Sequence, residues 1–133
     1  MPRLRKELVE RVELFSDRAL DVSLALPRRV CPGFVRDQLG RSCTSVGSNT
    51  CEADEAISAR EFIHRLGIAL RELGETRYWF RTAVRRGWIK QQRMTALQAE
   101  ADEIARILAT IVIKTSKSLG INLDNTGPAD ERH

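Results

Sequence analysis

Gly40-Arg-Ser-Cys-Thr-Ser-Val-Gly-Ser-Asn-Thr-Cys-Glu52 is the stretch of sequence that decides how this chain folds. Glycine, serine and threonine each disfavour a helix by a few tenths to about 1 kcal/mol relative to alanine, so local propensity predicts a loop. The sequence on both sides has helical patterns instead. Weak helix formers inside a helical protein usually have a packing or functional reason. We therefore treat residues 40–52, the signature segment, as the part that distinguishes this fold.

Three helical patterns surround the signature segment. Apolar residues recur at alternating spacings of three and four in residues 4–26, 58–86 and 91–118, which places one apolar stripe along each helix. Pro27 ends the first pattern, and Ser58-Ala-Arg-Glu61 is a capping box that begins the next. Gly120 is expected to terminate the last helix.

Residues 33–55 alone are equally consistent with a helix and with a loop, because they contain few large apolar side chains. Three long helices joined by short turns need a fourth to close their core, however, and a structureless connection of this length is uncommon in a compact domain. A fourth helix is therefore the economical prediction.

The sequence thus predicts an all-α fold, an antiparallel up-down-up-down four-helix bundle that occupies residues 1–120 as one domain. Residues 121–133 are predicted to be a flexible C-terminal tail. The predicted helices span about 4–26, 33–55, 58–86 and 91–118.

The composition is that of a soluble domain, with 133 residues, 42% hydrophobic and 30% charged. Three cysteines without a Cys-x-x-Cys spacing indicate neither a disulfide framework nor a zinc site, which is typical of a reducing compartment. The longest apolar run is too short to cross a bilayer. We expect a cytoplasmic protein with no membrane partner.

Catalytic and metal-binding patterns are weak in this sequence. Glu61-x-x-His64 has the spacing found in di-iron bundles, but it occurs once, and the other histidine, His133, lies in the tail. The sequence has no phosphate-binding glycine loop and no context for a serine triad. We expect no metal, no cofactor and no enzymatic activity.

The charge distribution is the clearest asymmetry, because residues 76–99 contain six bases and no acid. In an up-down bundle this segment lies at the same end as the turn between the first two helices. That end is either a solvated surface or a site for RNA or DNA, which would bind through backbone charge rather than through bases, since most aromatic residues are expected in the core or at an interface. The bases concerned are Arg28, Arg29, Arg77, Arg81, Arg85, Arg86, Lys90 and Arg93.

The third helical pattern carries a second apolar stripe beside the core stripe. Its glycines are two turns apart, as expected where another helix approaches closely. The stripe is either a subunit interface or a site of close packing within one chain. It consists of Ile63, Gly67, Leu70, Gly74 and Tyr78.

Two polar stripes are also predicted to face each other. Ser42, Ser45 and Asn49 share one helix face, and Glu72 and Glu75 share another. Direct hydrogen bonds between the two stripes would form a partly buried interhelical network that fixes register more than it adds stability. The alternatives are a ligand pocket and two separate solvated faces.

The motifs resemble those of a known family. Arg41-Ser42-x-x-Ser45-Val46-Gly47-x-Asn49-x-x-Glu52, followed by Glu61-Phe62-Ile63 and by Ala69-x-x-Glu72-x-x-Glu75-Thr76-Arg77-Tyr78-Trp79, is similar to bacterial four-helix bundle proteins encoded in intervening sequences of large-subunit ribosomal RNA genes. A related branch is the accessory variability determinant of diversity-generating retroelements, which binds nucleic acid and partners a reverse transcriptase. The resemblance implies a helical signature segment, a homopentamer and a largely uncharacterised function.

These patterns, together with the five-subunit assembly that the resemblance implies, favour a non-enzymatic, cytoplasmic homopentamer whose basic surface contacts RNA or DNA, beside a protein partner. The alternative is a structural or protein-interaction scaffold without affinity for nucleic acid. A metal-binding or ligand-binding bundle is a third and weaker interpretation.

Overall fold

The computed structural model describes residues 2–120, and within this range it contains four antiparallel helices and no strand. The predicted all-α four-helix bundle is confirmed. Each helix begins and ends within about two residues of its predicted bounds, which is the ordinary uncertainty of a helix end. The predicted tail, residues 121–133, lies outside the described residues. The helices are α1 (Lys6–Ala25), α2 (Gly33–Asp54), α3 (Ala59–Arg85) and α4 (Gln91–Ser118).

The core is built from the apolar stripes of all four helices. Phe15 of α1 and Phe80 of α3 are fully buried and pack edge to face, with ring centroids 6.3 Å apart. Leu39 of α2 and Leu108 of α4 are buried in the same cluster. Burial of such side chains contributes roughly 1.5–3 kcal/mol each. The spacing of these residues in the sequence therefore determines which face of each helix turns inward.

Capping residues fix where α3 begins and ends. The Ser58 hydroxyl accepts a hydrogen bond of 3.1 Å from the Glu61 N–H, as the capping box requires. At the other end Gly87 has a φ of 75°, and the Trp88 N–H donates to the Ala83 carbonyl over 2.9 Å. This glycine-terminated turn stops the helix and directs Trp88 back onto the bundle.

The polar side chains of the signature segment bond to the helix that carries them, which satisfies these groups but does not itself favour the helix. The hydroxyls of Thr44 and Thr50 each donate over 2.8 Å to the carbonyl four residues earlier. The Asn49 amide donates over 3.0 Å to the Ser45 carbonyl. Each of these polar groups thus has a partner, so the segment tolerates burial although its intrinsic helix propensity is low.

Small residues bring α1 and α2 close together along one seam. A Cβ atom added at Gly47 would lie 2.7 Å from Ser16 Oγ, and one added at Gly40 would lie 3.6 Å from Ser23 Oγ. Both pairs join a glycine of α2 to a serine of α1, two turns apart. Gly47 is therefore explained by the approach of α1, a contact that local sequence patterns do not reveal, whereas the spacing at Gly40 is that of an ordinary van der Waals contact.

The seam between α1 and α4 is held differently, by an ion cluster. Arg11 donates to both carboxylate oxygens of Glu100, over 2.9 and 2.6 Å, and also lies 3.0 Å from Glu103. The hydrogen bond from Arg11 holds the pKa of Glu100 below its ordinary value. Of the neighbouring helix pairs, α1 and α4 have the least direct contact. The cluster therefore replaces part of the apolar packing at this seam.

Candidate nucleic-acid interface

The topology brings two basic segments to one end of the bundle. The turn from α1 to α2 and the turn from α3 to α4 both lie there, and a cleft that joins the last turns of α1 to residues 88–94 shows that the two segments adjoin. Residues 22–36 and 76–99 contain no acid. We call this surface the basic end; its exposed bases are Arg28, Arg29, Arg81, Arg85, Arg86, Lys90 and Arg93.

Three arginines of α3 form a stripe at i, i+4 spacing, namely Arg77, Arg81 and Arg85. Like charges at this spacing destabilise a helix by roughly 0.2–0.5 kcal/mol per pair, so each needs an acidic neighbour or another reason to be there. Arg77 has an acidic neighbour, because its Nη2 lies 2.9 Å from Asp102 Oδ1 on α4. Of the bases predicted to bind nucleic acid, Arg77 is therefore one whose charge is already paired within the fold.

Arg81 and Arg85 of this stripe, and Arg86 beside it, have no acidic partner within residues 2–120. The Arg85 guanidinium donates to the Thr82 hydroxyl over 3.2 Å, and the Arg86 guanidinium carbon lies 5.7 Å from the centroid of the Trp88 ring. Both contacts leave the full positive charge in place. Exposed, uncompensated arginines are the groups that bind phosphate oxygens.

The predicted polar network has different partners from those expected. Arg41 of α2 takes both carboxylates of α3, with its Nη1 2.8 Å from Glu72 Oε2 and its Nη2 in contact with Glu75 Oε2. In residues 2–120 no hydrogen bond joins Ser42, Ser45 or Asn49 to these two glutamates, so the prediction of direct bonds is wrong. The reason is competition, since the Arg41 guanidinium takes the carboxylate oxygens while the Ser42 hydroxyl bonds to Thr76 of α3.

The serines and the asparagine of α2 bond elsewhere. Ser42 Oγ lies 2.9 Å from Thr76 Oγ1, a fully buried pair that links α2 to α3. Asn49 donates over 3.0 Å to Ser45 Oγ on its own helix. Arg65 of α3 lies 2.9 Å from Glu52 of α2 and completes the contact. Polar groups therefore do fix the register of α2 on α3, through Arg41, Thr76 and Arg65, which the sequence analysis did not assign to the network.

The predicted interface stripe divides into two parts. Ile63 and Leu70 are half-buried and pack against the core of the same chain, because they lie on the flank of α3 that borders the apolar cluster. Gly67 and Gly74 are exposed, and in the described part of the chain nothing lies within 4 Å of a Cβ atom added at either. Tyr78 is 47% exposed beside them. Close packing within one chain therefore does not account for the two glycines.

The cysteines and the acidic residues form no reactive cluster in the part of the chain that the structure describes. Burial raises the pKa of the Cys43 thiol to about 11, and burial together with a hydrogen bond to Glu13 does the same for Cys51. Both thiols are thus protonated at neutral pH and poor nucleophiles. Residues 2–120 hold no group of three histidine, cysteine or acidic side chains placed to bind a metal. No helix among them is long and apolar enough to span a membrane.

Comparison with known proteins identifies the family. The sequence profile of the 23S rRNA-intervening sequence proteins matches residues 8–110. The chain belongs to this family. The resemblance that the Ser/Gly/Asn and Glu/Trp motifs suggested is thereby confirmed.

One solved structure is similar to the four-helix bundle of the present chain. It is a protein of unknown function from the S23 ribosomal protein family of Bacteroides thetaiotaomicron, with 30% sequence identity and a TM-score of 0.74. The match covers 79% of the present chain and 97% of that chain. No curated protein matches. The family of this chain is thus established. The solved relative is described as a protein of unknown function.

Proposed function

We propose that this protein is a non-enzymatic, oligomeric bundle, a ring of five subunits, whose basic end binds the phosphate backbone of RNA or DNA. The observation that carries this proposal is the meeting of two acid-free basic segments, residues 22–36 and 76–99, at one end of the fold. The name of the family refers to 23S rRNA, which makes a structured RNA the first nucleic acid to test.

Repetition around a ring would make this weak site effective. Each subunit offers several exposed bases, and phosphate contacts that are linked in one particle act at high effective concentration. Such binding depends on released counterions, so the affinity falls steeply as salt rises and varies little with sequence. The pairing of Arg77 with Asp102 leaves Arg81, Arg85 and Arg86 as the principal bases at the C-terminal end of α3 and its C-cap.

Light scattering of the protein with and without a short structured RNA tests both parts of the proposal. We expect a particle of about five times the 15.1 kDa chain mass that gains RNA at about 50 mM salt and loses it by about 200 mM. A five-fold mass that never gains RNA would leave the alternative function, a protein scaffold. A monomer would contradict the ring.

The oligomeric part of the proposal is supported by the open glycines of α3. Among residues 2–120, no atom lies within 4 Å of a Cβ atom added at Gly67 or Gly74, and glycine in a helix interior destabilises it by roughly 1 kcal/mol relative to alanine. The approach of a helix from another subunit would account for both. This contact is compatible with nucleic-acid binding, since it lies along α3 rather than at the basic end.

Replacement of Gly67 or Gly74 by leucine is expected to lower the mass seen by light scattering, because the added side chain would separate the two helices. Ala99→Leu, which adds similar bulk on an exposed face of α4, should leave the mass unchanged. A Gly67→Leu variant that is folded by circular dichroism and keeps the wild-type mass would remove this interface.

A further inference from the structure

A small cleft opens at the basic end between α1 and the turn from α3 to α4. Its volume is about 250 Å³. This volume lies just below the range of about 300–1,000 Å³ that is typical of small-molecule sites, so the cleft suits a small ligand group. The cleft is concave, largely apolar and bordered by bases that the proposed function already uses. Its lining residues are Asp21, Val22, Ala25, Trp88, Ile89, Arg93 and Met94.

The aromatic wall of the cleft is held in place. Trp88 is half-buried, its backbone N–H is fixed by the Ala83 carbonyl, and the Arg86 guanidinium lies 5.7 Å from the centroid of its ring. The sequence predicts most aromatic residues in the core or at an interface, and Trp88 does pack against the core with part of its surface. The remaining surface of Trp88 lines the cleft, where it can contact a base.

The cleft also contains an acidic group, which a surface that binds nucleic acid only through positive charge would not require. Asp21 lines the cleft, and the ion pairs of residues 2–120 leave it without a partner. A carboxylate repels phosphate and would weaken any contact made through backbone charge alone. A carboxylate does accept hydrogen bonds from the exocyclic amino group of a base, as aspartate and glutamate do with cytosine N4.

We propose that this cleft takes one unpaired, amino-bearing nucleobase of the nucleic acid whose backbone lies on the basic end. This inference rests on the proposed function and adds a base contact to it. Trp88 contacts the base, and Asp21 accepts a hydrogen bond from its amino group. Cytosine, adenine and guanine carry such a group, whereas uracil and thymine present carbonyl oxygens instead. A base inside a duplex would have to leave its stack first, so the site favours single strands.

Fluorescence anisotropy with labelled 12-nucleotide oligocytidylate and oligouridylate tests this site at pH 7.5 and low salt. Asp21→Asn is expected to weaken oligocytidylate binding about 10-fold, and to leave oligouridylate binding equal or tighter. Asp37→Asn is the matched control, because Asp37 is exposed, likewise unpaired and also four residues from a helix end at the basic end. This control removes the same charge outside the cleft, so it should strengthen binding of both oligonucleotides slightly.

The outcomes separate this inference from the proposed function. If Asp21→Asn binds both oligonucleotides as tightly as Asp37→Asn does, the base site is wrong while the basic end stands. Equal affinity of the wild-type protein for oligocytidylate and for a duplex of the same length would also overturn it. If neither oligonucleotide binds at low salt, both the base site and the proposed function fail.

Discussion

Changing Arg81, Arg85 and Arg86 together to glutamate is expected to lower the affinity for a short RNA at least about 100-fold at low salt. The three guanidinium groups are exposed and have no acidic partner in residues 2–120, so their reversal replaces phosphate attraction by repulsion. Each lost phosphate contact should also lower the slope of log affinity against log salt by about 0.9. Titration of labelled RNA at several salt concentrations measures both quantities.

The control for this variant must change the net charge equally at another place. Arg5, Arg60 and Arg106 are exposed, and they lie away from the basic end. Their joint replacement by glutamate should reduce affinity far less, because screening limits the reach of each charge to about 10 Å at 0.1 M salt. Equal losses in the two triple variants would show that net charge alone, and not the basic end, governs binding.

Gly47→Leu is expected to destabilise the protein by about 3 kcal/mol, with a lower urea midpoint. Gly47 is buried where α2 meets α1, and even a Cβ atom there would lie 2.7 Å from Ser16 Oγ and 3.3 Å from Ser16 Cβ. Rotation of the serine hydroxyl relieves the first contact but not the second. The remaining atoms of leucine can be accommodated only if α1 moves away from α2.

The neighbouring residue provides the comparison. Ser48 is exposed, and its hydroxyl makes one long hydrogen bond of 3.4 Å to the Ser45 carbonyl. Ser48→Leu should therefore change stability by less than about 0.5 kcal/mol. Urea denaturation of both variants, followed by circular dichroism at equal protein concentration, gives the difference. A Gly47→Leu protein as stable as Ser48→Leu would contradict the close approach of α1.

The fold could be predicted because apolar spacing specifies α1, α3 and α4 directly. The signature segment is different, since its glycines and hydroxyl residues read as a loop until a partner helix is placed against them. Gly47 packs on Ser16, and the Thr50 hydroxyl bonds to the Val46 carbonyl. The first contact depends on the pairing of α1 with α2, which no local pattern contains. Closure of a three-helix core and the family resemblance provided the prediction instead.

The candidate site was predictable as a set of charges but not as a set of pairs. The run of bases between residues 76 and 99 predicts where the basic end lies. It also includes Arg77, however, which forms an ion pair with Asp102 of α4. Arg41 similarly takes the carboxylates of Glu72 and Glu75. Long side chains cross between helices, so their partners depend on the rotation and axial register of two helices. Neither quantity can be read from one helical period.

The alternation of helix directions has a consequence for how this family can diversify. Each end of the bundle presents two helix N-termini and two C-termini, so the partial charges of the backbone largely cancel there. The potential at the basic end is therefore set by exposed side chains such as Arg28 and Lys90, which contribute little to the core. Substitution at these positions can change the potential of this end while selection on stability stays neutral. Relatives with the same bundle can thus evolve different partners, and the charge of this end is a better guide to each than the shared fold.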